Sequence, residues 1–302
     1  MQICSLLPSA TEILYALSLG DSVAGVTHEC DFPPEAAGKP ALIRPRVDPH
    51  AQPAEIDRQV TELVARGESI YAVDAELLAS LAPDLIVTQD LCHVCAASPD
   101  DLAAALARLP KRPRVLTLTP HSLGDVWEDI RRVGEATGMR RDADALAAEL
   151  AARVAAVAAI SESASTRPRV LCLEWLDPFY IGGHWVPEMV ELAGGEDVLG
   201  RAEEPSFRVS AEEIAGTNPD VIVVMPCGYS AKRTAAEFDW ALLPASWRDF
   251  PAIRERRVFG VDANSYFSRP GPRLADGVEL LAHIFHPELF SLRLPAGAFQ
   301  KL

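Results

Sequence analysis

The sequence predicts an α/β protein of two similar lobes with parallel sheets, joined by a long helical segment. Three observations carry this expectation. Apolar runs of strand length alternate with capped helical stretches along most of the chain, the pattern of parallel strands whose crossovers are helices. The stretch "YAVDAELLASLAPDLIV" (71–87) returns without a gap 136 residues later as "FRVSAEEIAGTNPDVIV" (207–223), with Val73/Val209, Ala75/Ala211, Glu76/Glu212, Ala79/Ala215, Pro83/Pro219, Asp84/Asp220, Ile86/Ile222 and Val87/Val223 identical. Between the two copies, "SLGDVWEDIRRVGEAT" and "DADALAAELAARVAAVAAISE" form a helical tract in which Gly138 is almost the sole turn signal.

The first lobe opens on the apolar run Ile3 to Leu7. Ser9 followed by Glu12 reads as a capping box and Gly20 as a stop, so a helix is expected over 10–19. "VAGVT" is a short strand. In the repeat, Asp74 caps a helix that Pro83 ends, and the buried strand "LIVTQ" follows. "SPDDLAAALARL", capped by Ser98, is a further helix and "RVLTL" a further strand. After "STRPR" the second lobe resumes with "VLCLEW", the helix "PEMVELAGG" with Pro187 near its start, the repeat copy capped by Ser210, and the strands "DVIVVM" and "RVFGV". A helix in "RPGPRLADGVELLAHIF" is expected to close it. The boundaries read as 1–121 for the first lobe, 122–166 for the connecting segment and 167–302 for the second. Two lobes of one design suit a ligand held at the carboxyl ends of the strands, in a cleft between them.

Bulk properties narrow the function. With 302 residues, 49% hydrophobic and 24% charged, the chain is a soluble globular protein with room for two domains. A net charge of −15 argues against sequence-independent binding to nucleic acid or anionic lipid, both of which require a basic face. The six cysteines do not form a small disulfide scaffold, since several sit inside strand-like runs. "MQICSLLPSATEILYAL" has no basic leader and no cleavage site, and no stretch is apolar enough to span a bilayer. The chain as given is expected in the cytoplasm, or outside the cell membrane if an export signal has been trimmed. No phosphate loop, nucleophile elbow or paired Glu/His zinc motif is present, so catalysis has little to stand on.

Taken in order, "LPSATEILYALSLGDSVAGVTHECDFPP", a helical linker, "LDPFYIGGHWVPEMVELAGG" and "SYFSRPGPR" resemble the substrate-binding proteins of ABC importers for cobalamin and ferric siderophores. The cobalamin-binding branch is the best match, and the resemblance spans nearly the whole chain. It implies two Rossmann-like lobes joined by one long rigid helix, with the ligand clamped in the cleft between them and no catalytic role or catalytic cofactor. It also implies that Glu76 and Glu212, each seven residues before the repeat's proline, dock to a dimeric permease. Helix chemistry offers another account of these acids, because a carboxylate in a first turn is favoured by the helix dipole.

The loops after predicted strands supply the ligand-binding candidates. A corrinoid is a large, partly flat, amide-fringed ring and calls for aromatic faces and neutral hydrogen-bonding groups. "THECDFP" offers His28, Glu29 and Cys30; "EWLDPFYIGGHW" offers Trp175, Phe179, Tyr180, His184 and Trp185; "SYFSRPGPR" offers Tyr266, Phe267 and Arg269, with Phe207 at the head of the repeat copy. Aromatics at strand ends also pack lobes, so each residue taken singly has a structural explanation. His28, His93 and His184 are possible axial ligands to cobalt or iron. Cys92-x-x-Cys95 reads as a redox dithiol, as half a zinc site completed by His93, His28 or Cys30, or as packing, and the spacing alone does not select among these. The sequence thus supports a monomeric, non-enzymatic binder of a cobalamin-like corrinoid, delivering it to an ABC permease dimer or holding it in the cytoplasm. Alternatives are a haem or ferric-siderophore binder, or a thiol-dependent metal carrier using Cys92 and Cys95. An anionic siderophore would want several converging arginines, and only Arg269, with Arg44, Arg46 and Arg208 as further candidates, is on offer.

Overall fold

The computed structural model describes residues 1–48, 51–89, 99–109, 111–290, 295 and 297–302. The Cys92, His93 and Cys95 readings and the Ser98 cap lie outside them. The chain folds as two compact α/β units, one of residues 1–120 with 125–147, the other of 121–124 with 148–302.

In chain order the first unit contains β1 (Ile3–Ser5), α1 (Pro8–Ala16), β2 (Val23–Thr27), β3 (Ala41–Pro45), α2 (Pro53–Ala65), β4 (Tyr71–Val73), α3 (Ala75–Leu81), β5 (Leu85–Gln89), α4 (Pro99–Leu106) and β6 (Arg114–Leu118). Its sheet has the order β4-β3-β2-β1-β5-β6, all pairs parallel except β3 with the short edge strand β4. The β1 and β5 strands are buried along their length apart from the end of β5, as the continuous apolar runs require. α5 (Leu123–Thr137) from Asp125 on and the first two turns of α6 (Arg140–Ser161), to Ala147, complete the unit. Gly134 is obligatory here, because a Cβ on it would collide with the Cβ of Ala143 across the α5–α6 turn.

The second unit takes the rest of α6, then β7 (Arg169–Leu176), β8 (Phe179–Ile181), α7 (Val186–Leu192), β9 (Glu196–Asp197), β10 (Phe207–Arg208), α8 (Ala211–Ala215), β11 (Val221–Val224), α9 (Ala231–Glu237), α10 (Pro251–Arg254), β12 (Val258–Val261), α11 (Ala263–Tyr266), α12 (Leu274–Phe285) and β13 (Phe299–Lys301). Parallel pairing of β7, β11 and β12 makes the centre of its sheet. Antiparallel additions extend both sides, β8 and β10 on one and β13 on the other. Arg153 Nε on α6 donates to Glu279 of α12 at 2.9 Å, fixing the later turns of α6 to this unit.

Local chemistry explains where helices start, and it corrects one expectation. The Ser9/Glu12 capping box does not form: α1 begins at Pro8, with Leu7 as an N-cap that makes no side-chain cap bond. A proline at the first helical position has its φ pre-set and lacks only an N–H that would be unpaired anyway, so it captures the start. Ser9 and Glu12 are buried instead, and the helix ends at Ala16, short of Gly20, with Ser18 at φ 59°. The chain also closes on β13 after α12, not on a helix. The two repeat helices start as the sequence indicates. Asp74 accepts from Leu77 N at 2.9 Å, while Ser210 and Glu213 form a reciprocal capping box.

Asp197, at the end of β9, closes a tight turn by accepting from Gly200 N at 2.6 Å and Leu199 N at 3.1 Å. Its other oxygen is buried without a partner. Burial pushes this carboxyl up to about 6, the two N–H donors pulling the other way. The folded protein therefore holds the proton more tightly than the unfolded chain, so this group's contribution to stability is full below about pH 4 and is lost as pH rises through about 6. Asp197→Asn is expected to flatten the pH dependence of the unfolding free energy from urea titration between those values, by about 2–3 kcal/mol. An unchanged wild-type slope in the variant would contradict this.

Candidate functional site

The carboxyl ends of the parallel strands carry most of the predicted site residues, and each unit is considered in turn. In the first unit His28 and Glu29 directly follow β2. His28 Nδ1 lies 3.0 Å from the Ile43 carbonyl oxygen, its ring centroid is 5.8 Å from that of Tyr71, and Nε2 is 3.7 Å from Glu29. That fixes one ring nitrogen and leaves the outer edge beside an exposed acid. Cys30 is buried among Thr11 and Thr27, with Sγ 3.1 and 3.3 Å from their hydroxyls. Arg46 and Arg108 line a separate cavity of about 170 Å³ with Ala72, Val73 and Ala75. It is too small for a tetrapyrrole, since drug-sized ligands occupy roughly 300 Å³ or more.

The second unit concentrates the aromatic residues. Trp175 is the last residue but one of β7, Tyr266 ends α11, and Phe267 and Arg269 follow it. Trp185 and Phe267 are both buried and spent on each other: Trp185 Nε1 donates to the Phe267 carbonyl oxygen at 2.7 Å. This bond ties the loop ahead of α7 to the loop after α11. Tyr266 is half-buried, with the Arg273 guanidinium 5.9 Å from its ring. Burial, reinforced by the Asp262 carboxylate, raises its hydroxyl pKa, so it is a neutral donor and acceptor near pH 7. Arg269 is buried.

Phe179 and Phe207 pack against the core cluster that holds Trp247, Leu171 and Ile222. The Phe179 ring lies 4.9 Å from Trp247, and Arg201 sits 4.2 Å over Phe207. Both phenylalanines therefore have a packing role of their own. His184 is held at φ 51° by two backbone bonds, its N–H to Glu204 O at 2.6 Å and its carbonyl accepting from Glu203 N at 2.9 Å. Its ring stacks on Trp185 at 5.5 Å and lies 5.7 Å from His121. Nδ1 is buried without a partner. Burial, and then the neighbouring His121, lower its pKa, so the imidazole is neutral near pH 7 and keeps a lone pair available.

Three residues that sequence reasoning missed join this unit's loops. Tyr229 follows β11, is buried, and meets Trp175 edge-on with centroids 5.7 Å apart. Arg233 covers the Tyr229 ring at 3.8 Å, donates to its hydroxyl at 3.1 Å and donates to Glu237 at 2.8 Å. Burial first, and then the nearby Glu237 carboxylate, push the Tyr229 hydroxyl up to about 12 against the opposing Arg233 charge. "MPCGYS" is a loop after a strand, so the rule that found Trp175 and Tyr266 also covers Tyr229. Arg233 and Glu237 read in sequence as an ordinary i, i+4 pair on a helix surface.

Glu76 and Glu212 occupy the same place in α3 and α8, two residues beyond the N-cap, and both are exposed. The caps consume neither, since the side chains used are Asp74 in one and Ser210 with Glu213 in the other. Of the described cysteines, burial pushes Cys4 up to about 12 and raises Cys172 well above its ordinary value, Cys30 is buried, and Cys227 is exposed. Among the described residues, no three His, Cys, Asp or Glu side chains gather to hold a metal ion, and no helix is long and apolar enough to cross a membrane.

Comparison with known proteins agrees with this architecture. The profile of the periplasmic binding protein family matches residues 3–265. An uncharacterised ABC transporter substrate-binding lipoprotein of Bacillus subtilis, YvrC, is 27% identical, over 96% of this chain and 81% of that protein. A vitamin B12-binding protein of Vibrio cholerae is 25% identical over 92% of this chain and 86% of its own. Among solved structures, the periplasmic haem-binding protein RhuT from Roseiflexus, in apo form, superposes with a TM-score of 0.71 at 26% identity, covering 95% of this chain and 98% of that one. The periplasmic vitamin B12-binding protein BtuF of Vibrio cholerae superposes at 0.69 with 22% identity, covering 95% and 96%. Sheet topology, repeat and family profile agree, and the chain belongs to the periplasmic binding protein family.

Proposed function

We propose that this protein binds a cobalamin-like corrinoid and presents it to an ABC importer. The carrying observation is the chemistry of the strand-end loops in the second unit. Trp175 and Tyr266, both part-exposed, contribute aromatic surface, with buried Tyr229 packed behind Trp175, and the buried Nε1–H of Trp175 adds a neutral donor without a partner. The arginines around these loops are already engaged: Arg201 with Glu204 and Phe207, Arg208 over Tyr180, Arg233 with Tyr229 and Glu237, Arg273 over Tyr266. Such a surface suits a flat ring fringed with neutral amides better than a multiply anionic siderophore. The vitamin B12-binding relatives support the same reading. In this account Trp175 and Tyr266 touch the ligand, whereas Trp185 and Phe267 position their loops.

Haem is the second reading, favoured by one observation. Burial and the neighbouring His121 keep the His184 imidazole neutral, and a neutral imidazole is the side chain that ligates haem iron in many haem proteins. Parallel equilibrium dialysis with cyanocobalamin and haemin separates the two. Cyanocobalamin is expected to bind, and Tyr266→Ala to weaken it by about tenfold or more, corresponding to about 1.4 kcal/mol. Retention of haemin alone, lost in His184→Ala, would replace the corrinoid reading with haem.

Glu76 and Glu212 are proposed as the docking carboxylates. Their support is equivalence: the same helix position, in two copies of one element, with the local capping needs met by other side chains. A twofold permease can meet two such acids with two identical basic pockets.

A further inference from the structure

Tyr229 is the centre of a small polar cluster that the fold alone does not account for. Trp175 meets its ring edge-on, the Arg233 guanidinium carbon lies 3.8 Å over it, and Glu237 accepts from Arg233 Nε at 2.8 Å and hydrogen-bonds the Tyr229 hydroxyl. Two polar atoms of this group are buried without a partner, the Nε1–H of Trp175 and the second carboxylate oxygen of Glu237. The indole nitrogen can only donate, and an ionised carboxylate oxygen can only accept. Native proteins seldom leave such atoms unmatched, so a donor and an acceptor open in one cluster call for a complementary group. The remaining buried, unpartnered side-chain atoms described in this unit lie elsewhere: on His184 ahead of α7, on Asp197 beside β9, and on Ser161 at the end of α6.

We infer that Trp175 and Glu237, organised by Tyr229 and Arg233, form a subsite for primary carboxamides on the ligand's fringe. An amide oxygen accepts from Trp175 Nε1–H, and an amide NH2 donates to the free oxygen of Glu237. One amide or two neighbouring ones on the same fringe can meet both. The Arg233 and Glu237 charges offset each other, so the subsite presents hydrogen-bonding polarity without net charge. A carboxylate of the same size satisfies Trp175 but sets an anion against Glu237, which costs binding. The subsite therefore selects an amide-fringed ring over a carboxylate-fringed one. It rests on the corrinoid reading above and sharpens it by naming what discriminates the ligand.

The test uses cyanocobalamin and its isomeric monocarboxylates, each with one side-chain amide hydrolysed, in equilibrium dialysis against wild type, Glu237→Gln and Trp175→Phe. At least one monocarboxylate is expected to bind wild type about tenfold more weakly than the parent, the size of one lost hydrogen bond plus repulsion. Glu237→Gln should reduce that gap to about twofold, because a glutamine NH2 can donate to a carboxylate. Trp175→Phe should weaken the parent corrinoid by about tenfold while keeping the aromatic face. Thermal melts identify a variant that fails to fold, and Trp175→Phe carries the test if Glu237→Gln does. Equal binding of parent and all monocarboxylates, or a gap that persists in Glu237→Gln, overturns the subsite and leaves the corrinoid reading intact. Failure of wild type to bind any corrinoid overturns both.

Discussion

Replacing Glu76 and Glu212 together by lysine is expected to abolish ligand-dependent stimulation of the cognate importer, with corrinoid affinity unchanged to within about twofold. Both carboxylates are exposed and sit on the repeat helices, outside the loops that carry the ligand candidates, so their loss should leave the ligand site unaltered. Charge reversal at a contact desolvated on docking places like charges together, at a cost of several kcal/mol. Single replacements should each retain part of the stimulation, because two equivalent contacts share the docking. The assay is ATP hydrolysis by the reconstituted importer with loaded binding protein. Stimulation by the double variant equal to wild type would show that these acids serve only the helix dipole.

Trp247→Ala is expected to be the most damaging single core substitution, costing about 3–5 kcal/mol by the urea midpoint. Trp247 is fully buried, stacks on Phe250 at 5.7 Å and touches Phe179 at 4.9 Å. Its Nε1 also donates to the Ala211 carbonyl oxygen at 3.2 Å. Removing it leaves a cavity under β7, β11 and β12 and frees the first residue of α8, next to Glu212. Docking should therefore weaken along with stability. Trp247→Phe should recover much of the packing but not the hydrogen bond to α8. A loss below about 1 kcal/mol in the alanine variant would contradict the packing account.

Much of the fold was legible because its elements carry their own punctuation. Asp74 and Ser210 mark the starts of the repeat helices, Pro83 and Gly216 lie just past their ends, and the buried strands β5 and β11 follow as continuous apolar runs. Misreadings arose where two local signals competed or where an element was too short to show a period. Pro8 outranked Ser9 as the helix start. The short strands β8, β10 and β13 are two or three residues long and pair antiparallel by tertiary contact, so no alternation announces them. At the site, loops after strands pointed to Trp175, His184 and Tyr266. Burial then divided the candidates in a way that composition could not, since Trp185 and Phe267 are joined by a hydrogen bond while Trp175 keeps an open donor. Tyr229 in a loop meets Arg233 and Glu237 of α9 by tertiary contact, which sequence spacing does not encode.

The most direct test of the central claim is gel filtration of the purified protein mixed with cyanocobalamin, reading the corrin's visible absorption across the protein peak. The account predicts co-elution at about one corrin per chain, as expected of one ligand site in a binding protein. Corrin colour confined to the small-molecule volume, with protein and ligand both above micromolar concentration, would contradict it.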